Sequence, residues 1–169
     1  LDAIIVSLPF KESDVNVYEL YTEPFEVLLP AAHPWNTQVS IPPKQLQTEN
    51  VLLLSEGHCF REQVIDACPD LSHSSYDRTN VVAGGSSLET LRHMVASGLG
   101  VTVLPASAAG LKSYAPGYLS TKPFADPEPS RSVAIAWRKQ FPRIEAIDLL
   151  INVISKKVGA QIHGRQQAI

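Results

Sequence analysis

The 169-residue chain carries a net charge of -3 and 44% apolar residues with both charge signs interspersed, the composition of a globular protein of one domain or two small lobes. The acidic balance leaves no basic footprint for nucleic acid, and the longest apolar runs, Val51 to Leu54 and Leu99 to Leu104, are too short to cross a bilayer. No basic and apolar signal opens the chain, so it is read as cytoplasmic, and its two cysteines as free thiols, metal ligands or a redox pair before a permanent staple.

The chain opens abruptly on the apolar run Leu1 to Leu8, of which Ala3 to Leu8 reads as a buried strand. It also holds no helix-turn-helix pattern, and with so abrupt an opening a piece of a longer protein is expected. A polar loop from Lys11 to Asn16 leads to short strands at Val17 to Leu20 and Phe25 to Leu29, the second ended by Pro30. His33-Pro34-Trp35 is a turn with a packed tryptophan, because the proline forbids regular continuation. Ile41 to Leu46, with Pro42 and Pro43 at its start, suits one helical turn, and Val51 to Leu54 is a strand.

Both cysteines lie in the next stretch, Ser55 to Pro69. Phe60, Val64 and Cys68 recur every four residues and so share one helical face; Gly57 allows a tight turn into the helix and Pro69 stops it at Cys68. Cys59 then stands at the helix start, where unpaired amides and the positive dipole end favour a thiolate, with His58 and Arg61 adding positive charge. Cys59 is the better nucleophile and Cys68, at the far end, has the opposite bias. Nine helical steps separate their Cα atoms by about 13.5 Å, whereas a disulfide tolerates at most about 7 Å. Joining them must unwind the helix, an order-to-disorder switch. A metal site of His58, Cys59, Cys68 and His73 is the alternative for these side chains, although the spacing of the cysteines misses the short pairs of structural zinc.

Asp70 to Asn80 reads as a loose polar loop. Ser86 to Glu89 reads as a capping box, and Leu88, Leu91 and Val95 mark one face of a helix ending at Gly98. A strand follows at Leu99 to Pro105. Ala106 to Gly117 is turn-rich, and Thr121 to Ser130, with three prolines, reads as a connector. Arg131 opens a strand over Ser132 to Trp137. Pro142 starts a helix whose stripe Ile144, Ile147, Ile151, Ile154 and Val158 is core or subunit interface, ending at Lys156, Lys157 and Gly159; Ala160 to Ile169 is expected to fray. His93 and His163 are read as a helix-surface and a tail residue. The alternation of strands and helices predicts an α/β protein with a largely parallel sheet.

Two motifs carry a resemblance. Gly57-His58-Cys59-x-Arg61-x-Gln63 with a second cysteine nine residues on, and Ser87-Leu88-Glu89-Thr90-Leu91-x-x-Met94-Val95-x-x-Gly98-x-Gly100-Val101-Thr102-x-Leu104-Pro105, resemble the peroxide-sensing members of the LysR-type transcription regulators. The resemblance spans the chain and is strongest from Leu54 to Pro105. It implies two periplasmic-binding-protein-like, Rossmann-type lobes: residues 1–22 and 131–169 in a first lobe, incomplete here, and 23–130 in a second that holds the switch. The family's DNA-binding domain, and the opening part of the first lobe with threonines of the peroxide site, have no counterpart.

By the same resemblance, hydrogen peroxide oxidises Cys59 to a sulfenic acid and Cys68 resolves it as a disulfide. His58 and Arg131 contact the peroxide, with a slip to Arg138 or a plain surface salt bridge as the alternatives for the arginine. Ser86 and Ser87 are caps first and ligand contacts second. No cofactor or metal is implied. The implied partners are peroxide, further copies of the chain in a dimer or tetramer, glutaredoxin or thioredoxin as reductant, and DNA and RNA polymerase only through the full-length protein. The implied activity is regulation of oxidative-stress genes and not enzymatic turnover. Two other classes stand beside it: a LysR-type module for a small organic effector, with both cysteines as ordinary buried residues, and a thiol peroxidase, whose folds the pattern does not resemble.

Overall fold

The computed structural model describes residues 2–71, 81–110 and 117–166. The chain divides into two compact units, Leu1–Glu23 with Arg131–Ile169, and Pro24–Ser130, and so passes between them twice.

The first unit holds β1 (Ala3–Ser7), the opening half of β2 (Val15–Pro30), β7 (Ser130–Arg138) and α3 (Ile144–Gln166), with strand order β1-β7-β2. β1 and β7 are antiparallel, with Ile5 opposite Ile135. Val133 to Ala136 and Ile147 are buried. The α3 stripe is uneven: Ile151, Ile154 and Val158 are half-buried, while Ile144, Leu149, Leu150 and Val153 are exposed. α3 continues past Gly159 to Gln166, where a stop was expected. One glycine inside a helix costs about 1 kcal/mol and does not end it unless a proline or a cap follows. The last three residues of the expected fraying tail lie outside the described residues.

The two strands expected at Val17 to Leu20 and Phe25 to Leu29 are one strand of 16 residues, β2. Tyr21 to Pro24 look like a break because they are polar and end in proline. The strand runs through them, with the boundary between the two units falling after Glu23, and the next donor, Phe25 N–H, is taken by Pro129 O at 2.9 Å.

The second unit is a mixed sheet of order β6-β2-β5-β3-β4, built from the rest of β2, β3 (Val51–Leu54), β4 (Val81–Gly85), β5 (Val101–Pro105) and β6 (Leu119–Pro123). β3 runs parallel to β4 and β5, whereas β2 is antiparallel to β5 and β6. The expectation of a largely parallel sheet is corrected accordingly. Parallel neighbours need a crossover, and among the described residues of this unit only α1 (Cys59–Ala67) and α2 (Leu88–Ala96) supply one. β6 also corrects the connector reading for Thr121 to Pro123, while the residues after it lead back to Arg131 of the first unit. Pro123 is the last residue of β6, where a missing N–H is tolerated. Residues 72–80 of the expected polar loop and 111–116 of the turn-rich stretch lie outside the described residues.

The core of this unit is Phe25, Val27 to Leu29, Val51 to Leu54, Leu91, Val95, Val101, Val103 and Leu104. Thr102 is buried among them, and its hydroxyl donates to Leu52 O at 2.7 Å. Gly100 lies against the turn before β3 so closely that a Cβ would stand 2.2 Å from Asn50 O. His33 caps the turn Pro34–Thr37, its Nδ1 accepting from Trp35 N–H, and the Trp35 ring is buried as expected. The single turn near Ile41 to Leu46 forms over Pro43–Thr48.

α2 is capped one residue later than the capping box predicted. Ser87, not Ser86, is the N-cap, and its hydroxyl oxygen accepts from Thr90 N–H at 3.2 Å. Glu89 therefore falls in the first turn, where it pairs with the buried Arg92, which also donates to Ala108 O. At the other end Gly98 N–H bonds Val95 O and Leu99 N–H bonds Met94 O, the paired closure of a Schellman motif. Ser87→Ala is expected to cost about 1 kcal/mol in a urea titration and Ser86→Ala less than about 0.5 kcal/mol; the reverse order would restore the capping box at Ser86.

Candidate functional site

The site is built where β3 hands the chain to α1. All four residues of β3 are buried, and the strand lies between two parallel neighbours, so the chain emerges at the carboxyl edge of the sheet, the usual location of reactive groups in α/β units. Ser55 ties the exit to the neighbouring strand: its N–H and hydroxyl both donate to Gly85 O, at 3.0 and 3.3 Å. Gly57, at φ +91°, reverses the chain in a conformation that side-chain-bearing residues rarely adopt. His58 is then the N-cap through its backbone, with Arg61 N–H donating to its carbonyl at 2.9 Å and its ring making no capping bond.

Cys59 is the first residue of the nine-residue α1, and it is exposed, as is His58. Phe60 and Val64 are buried on one face of α1, and the Phe60 ring meets Phe25 edge to face at 5.6 Å. Cys68 is the C-cap, 1% exposed within the same core. Its N–H bonds Val64 O and its carbonyl accepts from Leu71 N–H, each at 2.9 Å. The shared face of Phe60, Val64 and Cys68, the start at Cys59 and the stop at Pro69 are as the spacing predicted. No disulfide joins Cys59 and Cys68, and the helix between them is intact from Cys59 to Ala67.

Arg61, expected to add positive charge near Cys59, has a second role. Its Nη1 donates to Leu54 O at 3.0 Å and its Nε lies 4.0 Å from the Glu62 carboxylate. The guanidinium closes the end of β3 because a side chain two residues into the helix reaches back across the turn. Among the described residues no group of three or more His, Cys, Asp or Glu side chains is arranged to hold a metal, and His73 of the alternative metal set lies outside them.

Arg131 belongs to the other unit, whereas His58, Cys59 and Cys68 belong to Pro24–Ser130. It is the second residue of β7, and it pairs with Glu23 of β2: Nη2 and Nε both donate to Oε2, at 2.7 and 2.9 Å. Glu23 is 4% exposed. Tyr21 lies beside them, its phenol pushed above the usual range first by burial and then by the Glu23 charge, with Arg131 acting the other way. Glu23 was missed from the sequence. Its one signal was a carboxylate inside an otherwise strand-forming run. Arg138, the alternative arginine, is exposed at the far end of β7.

The LysR substrate binding domain family matches residues 1–159. The chain is 38% identical to a probable hydrogen peroxide-inducible genes activator of Streptomyces viridosporus, over 82% of this chain and 43% of that protein, so it spans less than half of that relative. The reduced OxyR regulatory domain of Pseudomonas aeruginosa is 52% identical, with a TM-score of 0.80 over 92% of this chain and 72% of that one. OxyR of Corynebacterium glutamicum, a cysteine-to-serine mutant with hydrogen peroxide bound, is 26% identical, with a TM-score of 0.82 over 95% of this chain and 50% of that one.

Exposure alone sorts the two thiols. In the folded, reduced protein iodoacetamide is expected to modify Cys59 at least about a hundredfold faster than Cys68, whose reaction waits for opening of the core. In denaturing urea the two rates converge. Peptide mapping by mass spectrometry checks both, and equal rates in the folded state would contradict the burial of Cys68.

Proposed function

The chain belongs to the LysR substrate-binding domain family, and from that premise we propose that it is the regulatory part of a peroxide-sensing transcription regulator. The observation that carries the reading is a pair of cysteines at opposite ends of one short helix, Cys59 exposed and Cys68 buried. Relatives named as hydrogen peroxide-inducible genes activators, and a relative solved with hydrogen peroxide bound, support it.

In the proposed reaction the Cys59 thiolate attacks one peroxide oxygen. The S–O bond forms as the O–O bond breaks, and the departing hydroxide takes a proton and leaves as water. His58 and Arg131 are assigned to donate to the peroxide and to the charge developing on the leaving oxygen. The Cys68 thiol then attacks the Cys59 sulfenic acid, forming the disulfide and a second water. Peroxide is reduced by two electrons and the two thiols are oxidised by two.

The second step has a structural cost. Cys68 must leave the core and α1 must unwind, which releases Phe60 and Val64 at about 1.5–3 kcal/mol each. New packing in the oxidised state has to offset that loss. Residues 23–130 are assigned to the lobe that is remodelled, and residues 1–22 and 131–169 to the other lobe. A dimer or tetramer contact then shifts and repositions DNA-binding domains carried by the longer protein, where contact with RNA polymerase also resides. Reduction by glutaredoxin or thioredoxin resets the switch, so that one peroxide gives one signal and the protein is a cytoplasmic regulator and not an enzyme. Among the described residues no helix is long and apolar enough to cross a membrane.

The test is intact-mass spectrometry of the reduced protein after about one equivalent of peroxide, with thiols counted by alkylation. Loss of both thiols in an intramolecular Cys59–Cys68 link, together with reduced helical circular dichroism, is the expected outcome. Cys59→Ser abolishes it, and Cys68→Ser stops the reaction at the sulfenic acid. If both thiols stay alkylatable in excess peroxide, in this chain and in any longer protein that contains it, the sensor reading fails. Saturable binding of a small organic ligand that survives Cys59→Ser would then place the chain with the effector-binding modules.

A further inference from the structure

The opening turn of α1 is tied to β3 by the side chain of its third residue. Arg61 Nη1 donates to Leu54 O at 3.0 Å, and the side chain is 15% exposed. Its Nε lies 4.0 Å from the exposed Glu62 carboxylate, a distance and setting in which an ion pair contributes little, so the carbonyl bond is the contact that fixes the guanidinium. Leu54 is the last residue of β3 and stands opposite Gly85 of β4. The next residue, Ser55, donates to Gly85 O from both its N–H and its hydroxyl. The acceptor of the Arg61 bond therefore belongs to a part of the sheet held by its own bonds, whereas the donor belongs to the helix between the two cysteines.

A hydrogen bond from a guanidinium is charge-assisted and roughly twice as strong as a neutral one. This one is made only while the turn from Leu54 to Arg61 keeps its shape. Cys59 and Cys68 cannot meet across an intact α1, and the unwinding that releases Phe60 and Val64 takes Arg61, which lies between them, away from Leu54 O. The bond then stabilises the dithiol and is missing from the disulfide. A contact present in one state of a two-state element and absent from the other shifts the balance by its own strength. We infer that Arg61 is the latch of the switch: by holding the first turn of α1 on the end of β3, it biases the thiol–disulfide equilibrium toward the dithiol. This rests on the disulfide proposed above, and every residue it invokes lies in the unit Pro24–Ser130.

The bias is read by equilibrating the protein in graded mixtures of reduced and oxidised glutathione. Two glutathione thiols reduce the Cys59–Cys68 disulfide to two thiols and leave as one glutathione disulfide, so two electrons and two protons are exchanged. Quenching by alkylation and intact-mass spectrometry then give the ratio of dithiol to disulfide. Arg61→Ala is expected to move the equilibrium constant toward the disulfide by about tenfold, the lower end for a hydrogen bond from a charged donor, which is about 30 mV in the potential of a two-electron couple. In urea the same variant is expected to destabilise the reduced protein and to leave the disulfide-linked protein unchanged. An ordinary packing role would lower both forms alike. A role confined to charge at the Cys59 thiolate would slow its alkylation by iodoacetamide and leave the equilibrium where it was. If reduced Arg61→Ala does not fold, as judged by circular dichroism, Arg61→Lys takes its place; it keeps the charge but replaces the planar fork by a flexible ammonium, and a smaller shift in the same direction is expected.

An equilibrium that stays at the native position in the Arg61 variants, or moves toward the dithiol, overturns the inference, and so does an equal loss of stability in the two forms. The reading beneath it fails separately and in the unaltered protein: if neither peroxide nor oxidised glutathione links Cys59 to Cys68, in this chain and in any longer protein that contains it, there is no switch for Arg61 to latch.

Discussion

One short helix keeps two thiols apart, and that separation governs the chemistry open to this protein. α1 spans Cys59 to Ala67, with Cys59 exposed at its first residue and Cys68 buried at its C-cap. As long as the helix is intact, the two sulfurs cannot bond, because its length exceeds what a disulfide can span. The helix is held by its buried face: Phe60 meets Phe25 edge to face, and Val64 and Cys68 enter the core beneath it. The reduced form is therefore the form in which the apolar face of α1 is satisfied, and any link between the cysteines has to be formed against that packing.

What surrounds the helix prepares this arrangement. β3 is buried between two parallel strands, and the bonds from Ser55 to Gly85 and from Arg61 to Leu54 fix its exit. Gly57 turns the chain so that the residue opening α1 faces solvent while the next residue faces the core. A rigid strand exit followed by a helix of only nine residues joins two properties seldom found together, a reactive group held in place and a segment short enough to unwind at limited cost. In the same unit α2 is capped at both ends, and its Arg92 is tied to Glu89 and Ala108.

In the other unit Glu23 and Arg131 form an ion pair. β2 is one strand that serves both units, and the residue at which it leaves the first, Glu23, is the partner of the residue at which the chain comes back, Arg131. That coincidence lies in the chain path and not in any local motif. It gives an arginine proposed for the reaction a defined orientation inside its own unit.

The local features of the site were legible in the amino-acid sequence because they depend on neighbours within a few residues. The spacing of Phe60, Val64 and Cys68, the glycine before the helix and the proline after it suffice to place Cys59 at a helix start and Cys68 at its end, and the surrounding motif suffices for the family. Local rules also failed where two local answers were nearly equal. Ser86 and Ser87 are both acceptable caps, and it is Ser87 whose hydroxyl accepts from Thr90 N–H. Gly159 is a weak stop, and α3 passes through it. What only the tertiary structure decided is set by partners far apart in the chain. These are the mixed direction of the sheet, the strand β6 inside a proline-rich stretch, the continuity of β2 through Pro24, and the burial of Glu23 against an arginine 108 residues away. The physical reason is the same in each case: strand pairing and ion pairing join groups whose distance in sequence carries no energy, so periodicity and composition hold no trace of which partner is chosen.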